Sequence, residues 1–309
     1  MFYSLLEIQP ISPDNYVAFT FFVGCMAMLA ASVFFLFEVS NTDKKWRTSV
    51  LISGLITLIA AFHYYYMREY FLATKTSPTF FRYVDWLLTV PLMCVEFYLI
   101  TKKAGAKIGL LWKLIAASVF MLVTGYIGEA IYPLEKQSWV WGLASGLAYF
   151  YIVYLIWFGE VAKLANVAGT GVAKANRSLA WFVLVGWAIY PIGYIAGTAG
   201  GFFGFRIFEG LSLDVVYNIG DSVNKIGFGL VIYVLAQSDK IVSDTTIPMI
   251  NANGKKVYLA DTDTAYSLSN NTPFVATERA SGVWIHPNTT IGQPAMAVKI
   301  WDVCKSLLG

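Results

Sequence analysis

The chain has 309 residues, 57% of them hydrophobic, 17% aromatic and only 13% charged, with a mean hydropathy of +0.60. This excludes a disordered chain and an ordinary soluble domain; three scattered cysteines, Cys25, Cys94 and Cys304, also exclude a disulfide scaffold or a clustered thiolate metal site. A net charge of +3 is too small to suggest a nucleic-acid partner, so where the basic residues sit matters more than their sum.

A bilayer-crossing helix needs about 20 mostly apolar residues, because each residue rises 1.5 Å and every backbone polar group must be satisfied within the segment. Seven stretches qualify, at approximately 16–37, 48–71, 82–101, 108–131, 138–159, 178–200 and 213–237. The expected fold is therefore an all-α membrane protein, a seven-helix up-and-down bundle whose short connectors force neighbouring helices to be antiparallel. Residues 1–15 lack a basic run before the first span, so no cleaved signal is expected.

The loops after the first, third and fifth spans carry Lys44, Lys45, Arg47, Lys102, Lys103, Lys107, Lys163, Lys174 and Arg177. The opposite side has Arg68, Lys75, Arg82, Lys136 and Arg206, so nine basic residues face five. Loops rich in Lys and Arg stay cytoplasmic, which predicts an external N-terminus and a cytoplasmic C-terminus. Residues 1–237 then form the membrane domain. Residues 238–309 form a polar cytoplasmic tail, rich in Ser, Thr, Asn and Asp, with a short strand at 257–259 and otherwise partly disordered. From Pro294, the spacing of Val298, Trp301, Cys304 and Leu308 predicts one amphipathic docking helix.

An ionisable group at the bilayer centre costs about 2.5 kcal/mol or more, so each one needs a partner and a reason. Lys225 lies near the middle of the seventh span, with Asp221 one turn earlier on the same face. The plain reading is a buried ion pair; the functional one is an amine covalently bound to an aldehyde as a Schiff base. In the third span, Arg82, Asp85, Thr89 and Glu96 share a stripe. Asp85 and Glu96 are about 16 Å apart along the axis, too far to share a proton, and suit opposite sides of a group placed between them. Asp85 is expected on the outer side and ionised, like Asp221. Glu96, among Leu92, Val95 and Phe97, is expected to be neutral at rest on the cytoplasmic side.

Trp187, Tyr190, Pro191 and Tyr194 recur at three- and four-residue spacing in the sixth span and could form one wall of a flat slot, opposite Trp86. Such stripes are usually core, but beside a central lysine this one suits a planar conjugated ligand, and Pro191 marks a kink. His63, near the depth of Asp85 on the second span, is either a satisfied packing residue or a hydrogen-bond partner that tunes Asp85.

Taken together, the run Arg82 to Glu96, His63-Tyr64 with Met67-Arg68-Glu69, Trp187-x-x-Tyr190-Pro191 and Asp221-x-x-x-Lys225 resemble the microbial (type 1) rhodopsins, particularly the proteorhodopsins. The resemblance covers all seven spans and implies a light-driven outward proton pump, not an enzyme, in a bacterial inner membrane. It implies all-trans retinal held on Lys225 as a protonated Schiff base, with Asp85 and Asp221 as counterions. It also implies Asp85 as proton acceptor and Glu96 as cytoplasmic donor, with Thr89 completing a triplet similar to that of proton pumps. Met93 occupies the family's colour-tuning position, where an apolar residue implies green absorption. The implied partners are membrane lipid, the transported proton and further copies of the chain in a homo-oligomer. A photosensor signalling through a partner is the alternative, which the long tail favours and Glu96 disfavours.

Overall fold

The computed structural model describes residues 12, 14–132, 137–197, 212–244, 248–252, 255–259, 274–279 and 282–287. The chain forms two units, Met1–Ala236 and Gln237–Gly309. In the first, seven helical segments are long and apolar enough to cross a membrane. Helix α1 (Tyr16–Asn41) starts where the Asn15 side chain accepts the Ala18 N–H at 3.1 Å, satisfying one free donor of the first turn. Helix α2 (Arg47–Thr74) ends at Lys75, which takes a left-handed conformation with φ of 58°.

Helix α3 (Thr79–Thr101) carries Pro91 internally and closes in a short 3-10 turn, Lys102–Ala104, ended by Gly105 at φ of 101°. Helix α4 (Ile108–Tyr126) runs into a π-turn, Ile127–Ile131, and α5 covers Ser138–Trp157. Apolar side chains face outward all round, including Phe37, Phe62, Leu147 and Phe158, as lipid-facing helices require. The interior is closed by Phe21, Tyr64, Met93, Phe97 and Phe228 and by small residues at crossings.

The connection between the fifth and sixth spans differs from expectation. Instead of a loop at 160–177, α6 (Glu160–Val167) and α7 (Thr170–Trp181) extend both spans beyond their apolar stretches. They bury Val161, Ala165, Ala175 and Leu179, while the break between them falls at Gly169, whose φ of 112° suits glycine. After α7 the ladder is interrupted by a π-turn, Phe182–Gly186, and a turn at Trp187–Ala188 before α8 (Ile189–Gly197). Helix α9 (Leu213–Asp244) continues past residue 237, since polar residues outside a bilayer need not stop a helix.

The second unit departs from the expected tail. It contains four strands, β1 (Pro248–Ala252), β2 (Lys255–Leu259), β3 (Phe274–Arg279) and β4 (Gly282–Pro287), in the order β1-β2-β4-β3. The β2–β4 pair is parallel and the other two are antiparallel. The strand expected at 257–259 lies within β2; the amphipathic helix expected from Pro294 lies outside the described residues, as do Lys136 and Arg206.

Candidate functional site

Helices α3 and α9 begin at the same end of the bundle and place their charged residues side by side. Lys225 Nζ donates to Asp85 Oδ2 at 2.7 Å and to Asp221 Oδ2 at 2.5 Å. All three residues are at most 2% exposed. Two carboxylates around one ammonium compensate a charge that is expensive to bury alone.

The two acids are not equivalent. Asp221 Oδ1 accepts from the Tyr190 hydroxyl at 2.9 Å and from Trp86 Nε1 at 3.3 Å, so both of its oxygens are bonded. Asp85 Oδ1 is buried with no hydrogen-bond partner. His63 Nδ1 lies 3.8 Å from that oxygen, beyond hydrogen-bond length. It instead bonds the Ile59 carbonyl at 2.8 Å, and a carbonyl can only accept, so Nδ1 carries a proton and donates it there. The expected hydrogen bond from His63 to Asp85 is therefore not formed: the ring is satisfied by its own helix, although it sits beside the bare oxygen of Asp85.

Thr89 donates to the Asp85 backbone carbonyl at 2.9 Å, not to its carboxylate. Glu96 is fully buried on α3 with neither carboxylate oxygen hydrogen-bonded; Ser49 of α2 is the polar group facing it. Eleven residues separate it from Asp85, about 16 Å along the helix. Among the described residues there is no group of three or more potential metal ligands.

The aromatic residues separate into two groups. Trp86 and Tyr190 meet edge to face at 4.7 Å, and Trp187 and Met93 are 3% and 2% exposed within the same core. Tyr194, expected in the same wall, lies elsewhere: its hydroxyl donates to the Ser138 carbonyl at 2.6 Å and its ring covers Gly142. The shift in direction follows the interrupted sixth segment, where the expected kink is spread over the π-turn and Pro191. Trp187 N–H bonds the Phe182 carbonyl, five residues back. The freed carbonyls are met by side chains: Tyr149 bonds Leu184 at 2.7 Å and Val183 at 3.1 Å, and Asn224 bonds Gly186 at 3.0 Å. Gly186 leaves room for this contact, because a Cβ would stand 1.9 Å from Asn224 Oδ1 and displace that side chain.

Sequence reasoning missed a second polar cluster near the start of α3 and α9. Arg82 Nη2 donates to Asp214 Oδ1 at 2.8 Å and Nη1 to Asn218 Oδ1 at 3.2 Å. Tyr83 donates to Glu129 Oε2 at 2.6 Å. The signal was available: Asp214, Asn218, Asp221 and Lys225 follow steps of four, three and four, and Glu129 is an acid inside the fourth apolar span.

Comparison with known proteins adds a family. Residues 15–238 match the model of the family described as bacteriorhodopsin-like protein. The chain is 42% identical over 224 residues to a green-light absorbing proteorhodopsin of Gamma-proteobacterium EBAC31A08, covering 72% of this chain and 87% of that protein. It is 42% identical over 221 residues to a blue-light absorbing proteorhodopsin of Gamma-proteobacterium Hot 75m4, covering 71% and 86%. The crystal structure of a blue light-absorbing proteorhodopsin from Med12 superposes with a TM-score of 0.60 at 41% identity, covering 73% of this chain and all of the other.

Proposed function

This chain belongs to the bacteriorhodopsin-like family of multi-pass membrane proteins, and we propose that it is a light-driven pump moving protons outward through retinal bound to Lys225. The observation that carries the proposal is the asymmetry of the two acids around Lys225, one fully bonded and one with a bare oxygen.

The residues present fit the cofactor. A buried amine meets an aldehyde as a nucleophile, and two adjacent carboxylates balance the positive charge that the bonded nitrogen keeps. Retinal, joined to Lys225 as a protonated Schiff base, supplies light absorption and an isomerisation that alters its hold on the nitrogen's proton. Trp86, Met93, Trp187 and Tyr190 supply the apolar and aromatic surroundings that a polyene requires.

A nitrogen bonded to the aldehyde carbon keeps one N–H, whereas the free amine donates to both acids. Asp221 can release its share because Tyr190 and Trp86 remain as donors. Asp85 would then keep the N–H and receive the proton along it on Oδ2, while Oδ1 has no donor holding the carboxylate in its ionised form. Asp221 stays ionised, oriented by its two donors, and Thr89 fixes the backbone that carries Asp85. Glu96, on the far side along α3, returns a proton; a buried carboxyl beside the Ser49 hydroxyl, with no ion pair among the described residues, is suited to hold one until it is needed. An acceptor bonded to Lys225 and a donor eleven residues further along α3 would give the transfer its direction. The nine-to-five distribution of basic residues supports an external Asp85 side and hence outward transport.

The photosensory alternative has the separate unit at 237–309 in its support; the bare Glu96 favours the pump, since signalling needs no cytoplasmic donor. The test is illumination of cells or vesicles containing the retinal-reconstituted chain in unbuffered medium. Acidification outside right-side-out cells, abolished by a protonophore and absent in Asp85→Asn, is expected. A coloured protein that moves no protons in the light refutes the pump.

A further inference from the structure

The Arg82–Asp214 contact lies outside the proton path just described, yet it decides how much positive charge the path contains. Arg82 is three residues from Asp85 on one helical face, and its side chain is long enough to turn toward that acid. Its hydrogen bonds run the other way. Nη2 donates to Asp214 and Nη1 to Asn218, while the flat guanidinium lies between the rings of Phe21 and Tyr217 at 5.5 and 5.1 Å.

The tether is itself held. Ser77 donates to the same Asp214 oxygen at 2.7 Å, and Asn218 Nδ2 donates to Thr20 Oγ1 at 3.0 Å, which aims the amide oxygen at Arg82. Arg82 is 2% exposed and the Asp214 side chain 13%, so water screens this pair poorly.

We infer that Asp214 is a positioning residue: it holds the Arg82 guanidinium away from Asp85 and leaves that acid under-neutralised. This rests on the proposed function above. With Arg82 committed to Asp214, the centre has one positive group, Lys225, against two negative ones, Asp85 and Asp221. An acceptor in such a centre takes up a proton more readily than one facing two cations.

The other groups around these residues do not replace the tether. Tyr64 of α2 and Tyr217 and Asp221 of α9 face Arg82, and Glu129 beyond α4 is within electrostatic reach but is bonded by Tyr83. Asp85 faces His63, Tyr64 and Tyr190 besides Lys225 and Asp221. Among the described residues, Asp214 is the acid in ion-pair contact with Arg82.

The experiment titrates the acid-induced colour change of the retinal-bound full-length chain, which reports protonation of Asp85. In Asp214→Asn the midpoint should move to lower pH by about one unit, a tenfold change in proton concentration, because Arg82 keeps its full charge with nothing to offset it. Asp214→Glu should restore the parent midpoint. In an Arg82→Gln background, Asp214→Asn should add no further shift. Equal shifts in both backgrounds would mean that Asp214 acts directly on Asp85, and an unshifted midpoint in Asp214→Asn would make the contact a structural strap; either overturns the inference. If Asp214→Asn fails to accumulate, Ser77→Ala gives the decision by a smaller shift of the same sign, or by none. A parent chain that takes up no retinal overturns the proposed function and this inference together.

Discussion

Glu96→Gln offers the sharpest separation of donor from bystander, because glutamine keeps the volume and cannot deliver a proton. Glu96 is fully buried, five residues from the last residue of α3, Thr101, so about 7.5 Å of helix lies between it and that end. The flanking side chains Phe97 and Ile100 are buried and carry no ionisable group. A proton arriving from bulk water must then cross this apolar stretch as a charge, at a cost of about 3 kcal/mol. At 1.36 kcal/mol per factor of ten, reprotonation of the Lys225 nitrogen should slow by about 10²-fold. Loss of that proton to Asp85 uses residues on the other side and should keep its normal rate. Flash absorbance spectroscopy reads both phases. The slow phase should also become proportional to external proton concentration, and a small permeant acid such as azide should restore it. Identical recovery kinetics in Glu96→Gln and the parent chain would refute the assignment and favour the sensory reading.

Lys225→Ala should abolish retinal attachment, checked by mass spectrometry after borohydride reduction; Lys113, another lysine within a span, is half exposed and paired with Glu160 at 3.1 Å. In His63→Ala the acid-induced colour change should move to higher pH, since the electropositive Nδ1–H edge of the imidazole, 3.8 Å from Asp85 Oδ1, favours the ionised carboxylate; an unchanged titration returns His63 to packing alone. Gly186→Ala should lower thermal stability by about 1–3 kcal/mol, because the new Cβ displaces Asn224 and leaves a carbonyl without its partner; a melting temperature equal to the parent's would contradict this reading.

The seven spans are legible in the sequence because a bilayer imposes length and apolarity on any helix that crosses it. The helical ends are not, since the polar residues Glu160, Lys163, Lys174 and Arg177 of α6 and α7 are as acceptable in a helix outside a bilayer as in a loop. Lys225, Asp85, Asp221 and Glu96 stand out by the cost of burying charge, and the same rule applied to Glu129 and Asp214 would have exposed the second cluster. The inequality of Asp85 and Asp221 is invisible in sequence, because it depends on which acid Tyr190 and Trp86 reach from other parts of the chain. In the tail, Asn253-Gly254 between two apolar runs is a hairpin signal overshadowed by the polar composition.

The broken ladder of the sixth segment has a mechanical meaning. A bare carbonyl facing lipid costs several kcal/mol, so a continuous membrane helix resists bending wherever bending opens its hydrogen bonds. Between Phe182 and Gly186 that cost is already met by hydroxyl and amide groups of Tyr149 and Asn224 on neighbouring helices. Flexing at this joint exchanges one side-chain partner for another and need not strip the backbone. The joint between α7 and α8 is therefore the place where this segment bends at least cost to its backbone, and because Asn224 adjoins Lys225, it is linked along the chain to the lysine proposed to hold retinal.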